Sequence, residues 1–119
     1  MRERDIEKWL RRQVESLGGQ AFKFTSPGND GVPDRLAVLP GGFIYFVELK
    51  TDRGRLTPIQ VWQQDRLRQL GCQVRTIRGM DEAAAFIEEV RDAIHDEEEG
   101  GGARGSSCRM IIKKERWSS

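Results

Sequence analysis

The amino-terminal part of the chain predicts one amphipathic helix followed by a short strand and a loop. Over residues 2–17 apolar residues recur at helical spacing, and glycines at 18 and 19 end the pattern, as glycine does at helix C-termini. The predicted stripe consists of Ile6, Leu10, Val14 and Leu17. Residues 21–25 are a strand candidate, and residues 26–33 have the proline- and glycine-rich composition of a loop.

The middle of the chain predicts a hairpin. Residues 34–39 and 43–50 are strand candidates, and Pro40-Gly41-Gly42 between them suits a three-residue turn in which a glycine takes the left-handed conformation. Both faces of this hairpin are apolar. We therefore expect it to lie in the middle of a sheet that is covered on both sides.

A helix–strand–helix unit follows the hairpin. Thr57 can cap the helix, Pro58 suits its first position, and Gln60 completes a capping box. The apolar stripe of this helix is Ile59, Trp62, Leu67 and Leu70, and Gly71 ends it. Residues 73–77 are a strand candidate. Asp81 is the expected cap of the last helix. Its stripe is Ala83, Ile87, Val90 and Ile94.

The predicted order is thus α-β-β-β-α-β-α, an α/β protein with a mixed sheet. The last strand should run parallel to the strand before it, because a helix connects the two. Residues 1–95 form the predicted domain. Residues 96–107 are an acidic and glycine-rich linker, and residues 108–119 are a basic tail expected to be flexible, with an added strand or a DNA-contacting arm as alternatives.

Composition narrows the chemistry. The net charge is +1, so the chain is not a polycation. The mean hydropathy is −0.63, and neither a membrane span nor a secretory signal is expected, which favours a cytoplasmic location. Cys72 and Cys108 lack zinc-site spacing, and His95 is the single histidine. An enzyme of this composition would have to use carboxylates and lysines.

The hairpin places two carboxylates and a lysine together. A turn about Gly41 puts Asp34 opposite Glu48, with Cβ atoms roughly 4.5–5.5 Å apart, and Lys50 lies on the same face. Like charges in that position repel, so something should compensate. An ordinary ion pair between Glu48 and Lys50 at the strand end is the alternative explanation.

The first helix adds a third carboxylate. At helical spacing Glu3 projects from the middle of the apolar stripe, and Glu7 lies at its edge. Three carboxylates near one sheet edge suggest a hard divalent cation, Mg²⁺ or Mn²⁺, held by oxygen ligands.

Val32-Pro33-Asp34 followed by Glu48-Leu49-Lys50 resembles the PD-(D/E)xK signature of restriction-endonuclease-like nucleases. A wider set of segments resembles the virus-type replication-repair nuclease (VRR-NUC) family, in its stand-alone phage and bacterial form. The segments begin at Glu3, Lys23, Gly31, Leu39, Phe46 and Leu56, in that order. The resemblance covers residues 1 to about 90 and implies a restriction-endonuclease-like fold.

The resemblance also implies roles for particular residues. Asp34, Glu48, the backbone carbonyl of Leu49 and the N-terminal acid Glu3 would hold the metal. Lys50 would be the catalytic lysine and Gln60 a further site residue. Candidate DNA contacts near this site are Lys23, Ser26, Arg35, Arg53 and Arg55.

We accordingly expect a Mg²⁺-dependent DNA endonuclease that accepts Mn²⁺. Its substrates would be duplex or branched DNA, such as four-way junctions or flaps, in phage or bacterial replication, recombination or repair. Because paired cuts suit a two-fold enzyme, a homodimer is expected. Trp9, Trp62 or residues 110–112 could supply its interface. A catalytically silent nucleic-acid-binding module and a hydrolase of another phosphate substrate remain the alternatives.

Overall fold

The computed structural model describes residues 2–99, which form three helices and four strands. The predicted order is confirmed, with most boundaries within one or two residues of those expected. The elements are α1 (Glu3–Ser16), β1 (Gln20–Lys23), β2 (Arg35–Leu39), β3 (Phe43–Lys50), α2 (Pro58–Gln69), β4 (Gln73–Arg78) and α3 (Gly79–Glu99). The basic tail and most of the predicted linker lie outside the described residues.

The four strands form one mixed sheet in the order β1-β2-β3-β4. The first three strands are antiparallel, and β4 runs parallel to β3, as the connecting helix requires. The predicted hairpin register is confirmed, because Leu39 pairs with Phe43 and Arg35 with Val47. Gly41 and Gly42 both have positive φ, as the tight turn between these strands demands.

One face of the sheet is fully covered by α1 and α3. The predicted stripes of these helices are confirmed, with Ile6, Val14 and Val90 completely buried against the sheet. Tyr45 on β3 meets Phe86 on α3 edge to face, with ring centroids 5.3 Å apart. This layer forms the hydrophobic core. Trp9 is only partly buried against it.

The other face is covered only in part, so the expectation of cover on both sides is wrong. Helix α2 packs mainly against β4 at the edge of the sheet. The open part of the face leaves Phe22 and Ile44 exposed. The apolar stripe of α2 points outward as well, and its exposed members are Ile59, Trp62 and Leu70. The residue that α2 buries is Gln64.

Helix α3 differs from the prediction at both ends. It begins at Gly79, so Asp81 lies in its first turn instead of capping it. An acidic side chain there still interacts favourably with the helix dipole. The Glu82 carboxylate accepts a hydrogen bond from the Arg78 N–H at 2.7 Å and so satisfies a backbone donor at this end. The helix continues to Glu99, which makes residues 96–99 helical instead of linker; glutamate is a good helix former.

Within residues 2–99 no helix is both long and apolar enough to cross a membrane.

Candidate active site

The predicted site residues lie together at one end of the two central strands, where β2 begins and β3 ends. Asp34 immediately precedes β2, and its carbonyl accepts a hydrogen bond from the Phe24 N–H at 2.7 Å. Continuing the observed register places Asp34 opposite Glu48. Lys50 is the last residue of β3. The fold therefore brings together the three residues that the sequence pattern singled out.

Glu48 is the buried member of this group, with 8% of its surface exposed. One carboxylate oxygen, Oε2, lies 3.7 Å from Lys50 Nζ and 3.5 Å from Gln60 Nε2. Burial raises the pKa of Glu48 above its ordinary value, and the nearby charge of Asp34 raises it further. Lys50 opposes this effect, while the charge of Glu3 adds to it. Glu48 is thus held where ionisation is costly unless positive charge is close.

Asp34 faces a different cation. Its Oδ1 accepts a hydrogen bond from Arg35 Nη1 at 2.7 Å, and Arg35 Nε lies 4.0 Å from Glu7 Oε2. Arg35, expected as a DNA contact, is therefore engaged by two acidic side chains. Helix α1 begins at Glu3, which lies on the helix face of Ile6, Leu10 and Val14 as predicted but is exposed because it is in the first turn. Its charge nonetheless reaches Glu48.

The donor set matches the chemistry of a hard divalent cation. In the part of the chain that the structure describes, no three acidic, histidine or cysteine side chains converge into a cluster able to hold a metal by themselves. Instead Lys50 pairs with Glu48 and Arg35 pairs with Asp34, so each carboxylate has a basic side chain beside it. Carboxylate and carbonyl oxygens are the ligands that Mg²⁺ prefers. Asp34, Glu48 and the Leu49 carbonyl would supply oxygens of this kind.

Gln60 links the start of α2 to this group. Its Oε1 accepts a hydrogen bond from the Thr57 N–H at 2.9 Å, and Thr57 Oγ1 accepts one from the Gln60 N–H at 3.2 Å. The predicted capping box is confirmed. Because the cap uses only Oε1, Nε2 remains available to face Glu48. One side chain thus serves both the helix end and the site.

The loop of residues 26–33 packs closely against the start of α2. Gly31 has φ +87°, and a Cβ at this position would lie 2.7 Å from the Ile59 carbonyl oxygen. The Asp30 carbonyl accepts a hydrogen bond from Gln63 Nε2 at 3.1 Å. Only glycine allows the loop and the first turn of α2 to approach this closely.

The remaining candidate DNA contacts are near site residues in the sheet or along the chain. Lys23 pairs with Arg35, and Arg53 and Arg55 follow Lys50. Arg78 Nε donates to the Gly54 carbonyl at 2.8 Å and so holds the loop that carries Arg53 and Arg55. Ser26 is half-buried and accepts a hydrogen bond from Asn29 Nδ2 at 3.2 Å. We call the exposed side chains of Lys23, Arg53 and Arg55 the positively charged rim.

The sequence analysis did not predict that Gln64 is the buried residue of α2. The available signal was its spacing of four residues from Gln60, which puts the two amides on one face of α2. Apolar residues were assumed to define the buried face instead.

A mixed sheet that carries Asp34, Glu48 and Lys50 at one edge, with Gln60 at the start of the adjacent helix, defines a restriction-endonuclease-like protein of the PD-(D/E)xK type. Comparison with known proteins bears this out. The chain is 48% identical over 81 residues to "Putative nuclease p44" of Acyrthosiphon pisum secondary endosymbiont phage 1, covering 68% of this chain and 87% of that protein. A solved VRR-NUC domain superposes with a TM-score of 0.69 at 32% identity, covering 72% of this chain and 94% of the domain. No family model matches the sequence. The chain belongs to the VRR-NUC family.

Proposed function

We propose that this protein is a Mg²⁺-dependent endonuclease that hydrolyses phosphodiester bonds in DNA. The observation that carries the proposal is the grouping of Asp34, buried Glu48 and Lys50 at one sheet edge. Membership of the VRR-NUC family and the phage relative support the same reaction. The phage relative also favours a role in replication, recombination or repair of phage or bacterial DNA, and hence action in the cytoplasm.

In this proposal Asp34, Glu48 and the Leu49 carbonyl hold the ion, and Glu3 contributes negative charge nearby. When bound, Mg²⁺ would screen the phosphate charge and lower the pKa of the attacking water. Lys50 Nζ, now 3.7 Å from Glu48, would donate to a phosphate oxygen as negative charge develops there. Gln60 Nε2 would hold the Glu48 carboxylate in one orientation. The exposed Lys23, Arg53 and Arg55 would contact neighbouring phosphates.

Metal titration tests this function. We expect the purified protein to cut labelled DNA with Mg²⁺ or Mn²⁺, and to stop when EDTA is added. Ca²⁺ should bind and raise the melting temperature but support little cleavage, because it is larger and less demanding in geometry. Duplex, flap and four-way-junction substrates should be run side by side to rank them. Full activity in EDTA would contradict a catalytic metal, and binding of DNA without cleavage under any metal would favour the silent binding module.

We further propose that two copies of the chain act together on branched DNA. The support is a set of exposed apolar side chains on the open part of the sheet and on the outward side of α2, which we call the α2–sheet surface. It comprises Phe22, Ile44, Ile59, Trp62 and Leu70, all more than two-fifths exposed. Exposed apolar side chains of this size are candidates for a contact between proteins. A two-fold interface through this surface would supply two active sites for paired cuts.

Light scattering tests the dimer. We expect a mass twice that of the 13.6 kDa chain, and Trp62→Asp should reduce it to that of one chain, because a charge would enter an apolar contact. Val61→Asp is the matched control, since Val61 is exposed on nearly the opposite side of α2 from Ile59 and Leu70. A wild-type protein that stays monomeric with and without junction DNA, and cuts one strand only, would refute the paired-cut proposal and leave the cleavage chemistry intact.

A further inference from the structure

Helix α2, which carries Gln60, is attached to the sheet through a polar side chain. Gln64 is its buried residue, with 2% of its surface exposed, whereas Ile59, Trp62 and Leu70 face outward. A hydrogen bond depends on angle as well as on distance, so it holds two groups in a defined geometry. The position of α2 therefore depends strongly on what Gln64 bonds to.

Gln64 bonds to the strand beside Glu48. Its Oε1 accepts hydrogen bonds from Thr76 Oγ1 at 3.0 Å and from Arg68 Nη2 at 3.2 Å. Arg68 Nη2 also lies 3.3 Å from the Val74 carbonyl on β4. Thr76 is the β4 residue paired with Glu48 on β3. Paired residues on neighbouring strands lie on the same face of a sheet, so Gln64 is anchored next to the carboxylate of the site.

The amide nitrogen of Gln64 is buried without a hydrogen-bond partner among the described residues. A buried donor left unpaired destabilises a folded protein, whereas the two hydrogen bonds that Oε1 accepts stabilise it. The side chain is thus held through its oxygen, which is directed toward β4.

We propose that Gln64 is a positioning residue that sets the rotation and axial position of α2, so that Gln60 Nε2 faces Glu48. Gln64 and Gln60 are four residues apart and share a helix face. The hydrogen bond between Gln64 and Thr76 holds α2 against β4. One turn earlier in the helix, Gln60 Nε2 then lies 3.5 Å from Glu48 Oε2. The effect on catalysis rests on the proposed nuclease function, whereas the effect on Gln60 does not.

The test uses the full-length protein with Gln64→Met, which keeps the volume and removes both the acceptor and the unpaired donor. Thr76→Val removes the anchoring hydroxyl from the other side, and Thr76→Ser should restore it. Gln69→Met, at an exposed glutamine of the same helix, is the control. We expect Gln64→Met and Thr76→Val to lower kcat about 10- to 100-fold, with KM for DNA within about twofold, when each variant is assayed well below its melting temperature.

A second measurement needs no activity. In metal-free, ¹⁵N-labelled protein we expect the Gln60 side-chain amide signals to shift in both Gln64→Met and Thr76→Val, but not in Gln69→Met. In a Gln60→Ala background, Gln64→Met should lower kcat no further, because the two act through one contact. Unmoved Gln60 signals would overturn the proposal, as would a wild-type kcat or a loss of kcat that disappears once the fraction of folded protein is taken into account. If the wild type does not cleave DNA but the Gln60 signals still move, the nuclease proposal fails and the positioning role stands.

Discussion

Replacing Glu48 with glutamine should lower DNA cleavage about 100- to 1,000-fold or more, because it removes a proposed metal ligand and the charge beside Lys50. DNA binding should largely survive, since the positively charged rim is untouched. Lys50→Ala should have a similar effect on cleavage, because it removes the donor to the phosphate. Single-turnover cleavage of labelled DNA and a separate binding measurement in Ca²⁺ would check both variants.

Glu48→Gln should leave the metal-free protein at least as stable as the wild type at neutral pH. Burial raises the pKa of Glu48, so the folded state takes up a proton more readily than the unfolded state does. The protonated Glu48 carboxyl therefore contributes to the free energy of unfolding at low pH. That contribution is lost as pH rises from the ordinary glutamate pKa to the raised one. Glutamine has no such dependence. The advantage of Glu48→Gln in thermal melting should therefore shrink as pH falls from the raised pKa of Glu48 to the ordinary glutamate value, and should be gone below it.

Glu88→Gln is the matched control for this pair of measurements, because Glu88 is an exposed carboxylate on α3 that pairs with Arg91 one turn along the helix, away from the predicted site residues. It should change neither cleavage nor melting. If Glu48→Gln and Lys50→Ala both retain full turnover, with contaminating nuclease excluded, the assignment of the active site is wrong. A metal-free Glu48→Gln protein that is much less stable than wild type at neutral pH would show that the carboxylate is needed for folding.

Gly31→Ala should destabilise the protein by roughly 2–5 kcal/mol, the sum of left-handed backbone strain and a steric collision. Its new Cβ would lie 2.7 Å from the Ile59 carbonyl oxygen and 3.0 Å from the Gln60 nitrogen. Both atoms belong to the first turn of α2, which would have to move. Cleavage should fall along with stability, because Gln60 moves away from Glu48. Denaturant unfolding and cleavage assays on the same samples would measure the two effects.

Gly28→Ala separates strain from collision. Gly28 lies in the same loop with φ +82°, but a Cβ there would meet nothing within 4 Å. Its loss should be about 1–2 kcal/mol, with cleavage near the wild-type level when assayed well below the melting temperature. Equal losses of stability and activity in the two variants would mean that contact with α2 contributes nothing, and that the backbone conformation alone requires glycine at position 31.

Features that depend on neighbours along the chain could be predicted from the sequence. The capping box of Thr57 and Gln60, the turn at Gly41 and the hairpin register follow from local bonding and from the two-residue period of strands. Because that register is local, the facing of Asp34 and Glu48 could be predicted, and with it the proposed site. The parallel direction of β4 followed from its connection through a helix.

How the elements turn toward one another could not be predicted in this way. The apolar residues of α2 recur as predicted, but Ile59, Trp62 and Leu70 are exposed, whereas Gln64 is buried and bonds to Thr76. Likewise Glu3 is exposed, and Arg35 pairs with Asp34 and Glu7. Periodicity shows that a helix has an apolar side but not which surface will cover it. Which side of the helix is buried depends on contacts between residues far apart in sequence, such as Gln64 and Thr76. Those contacts exist only once the sheet has formed.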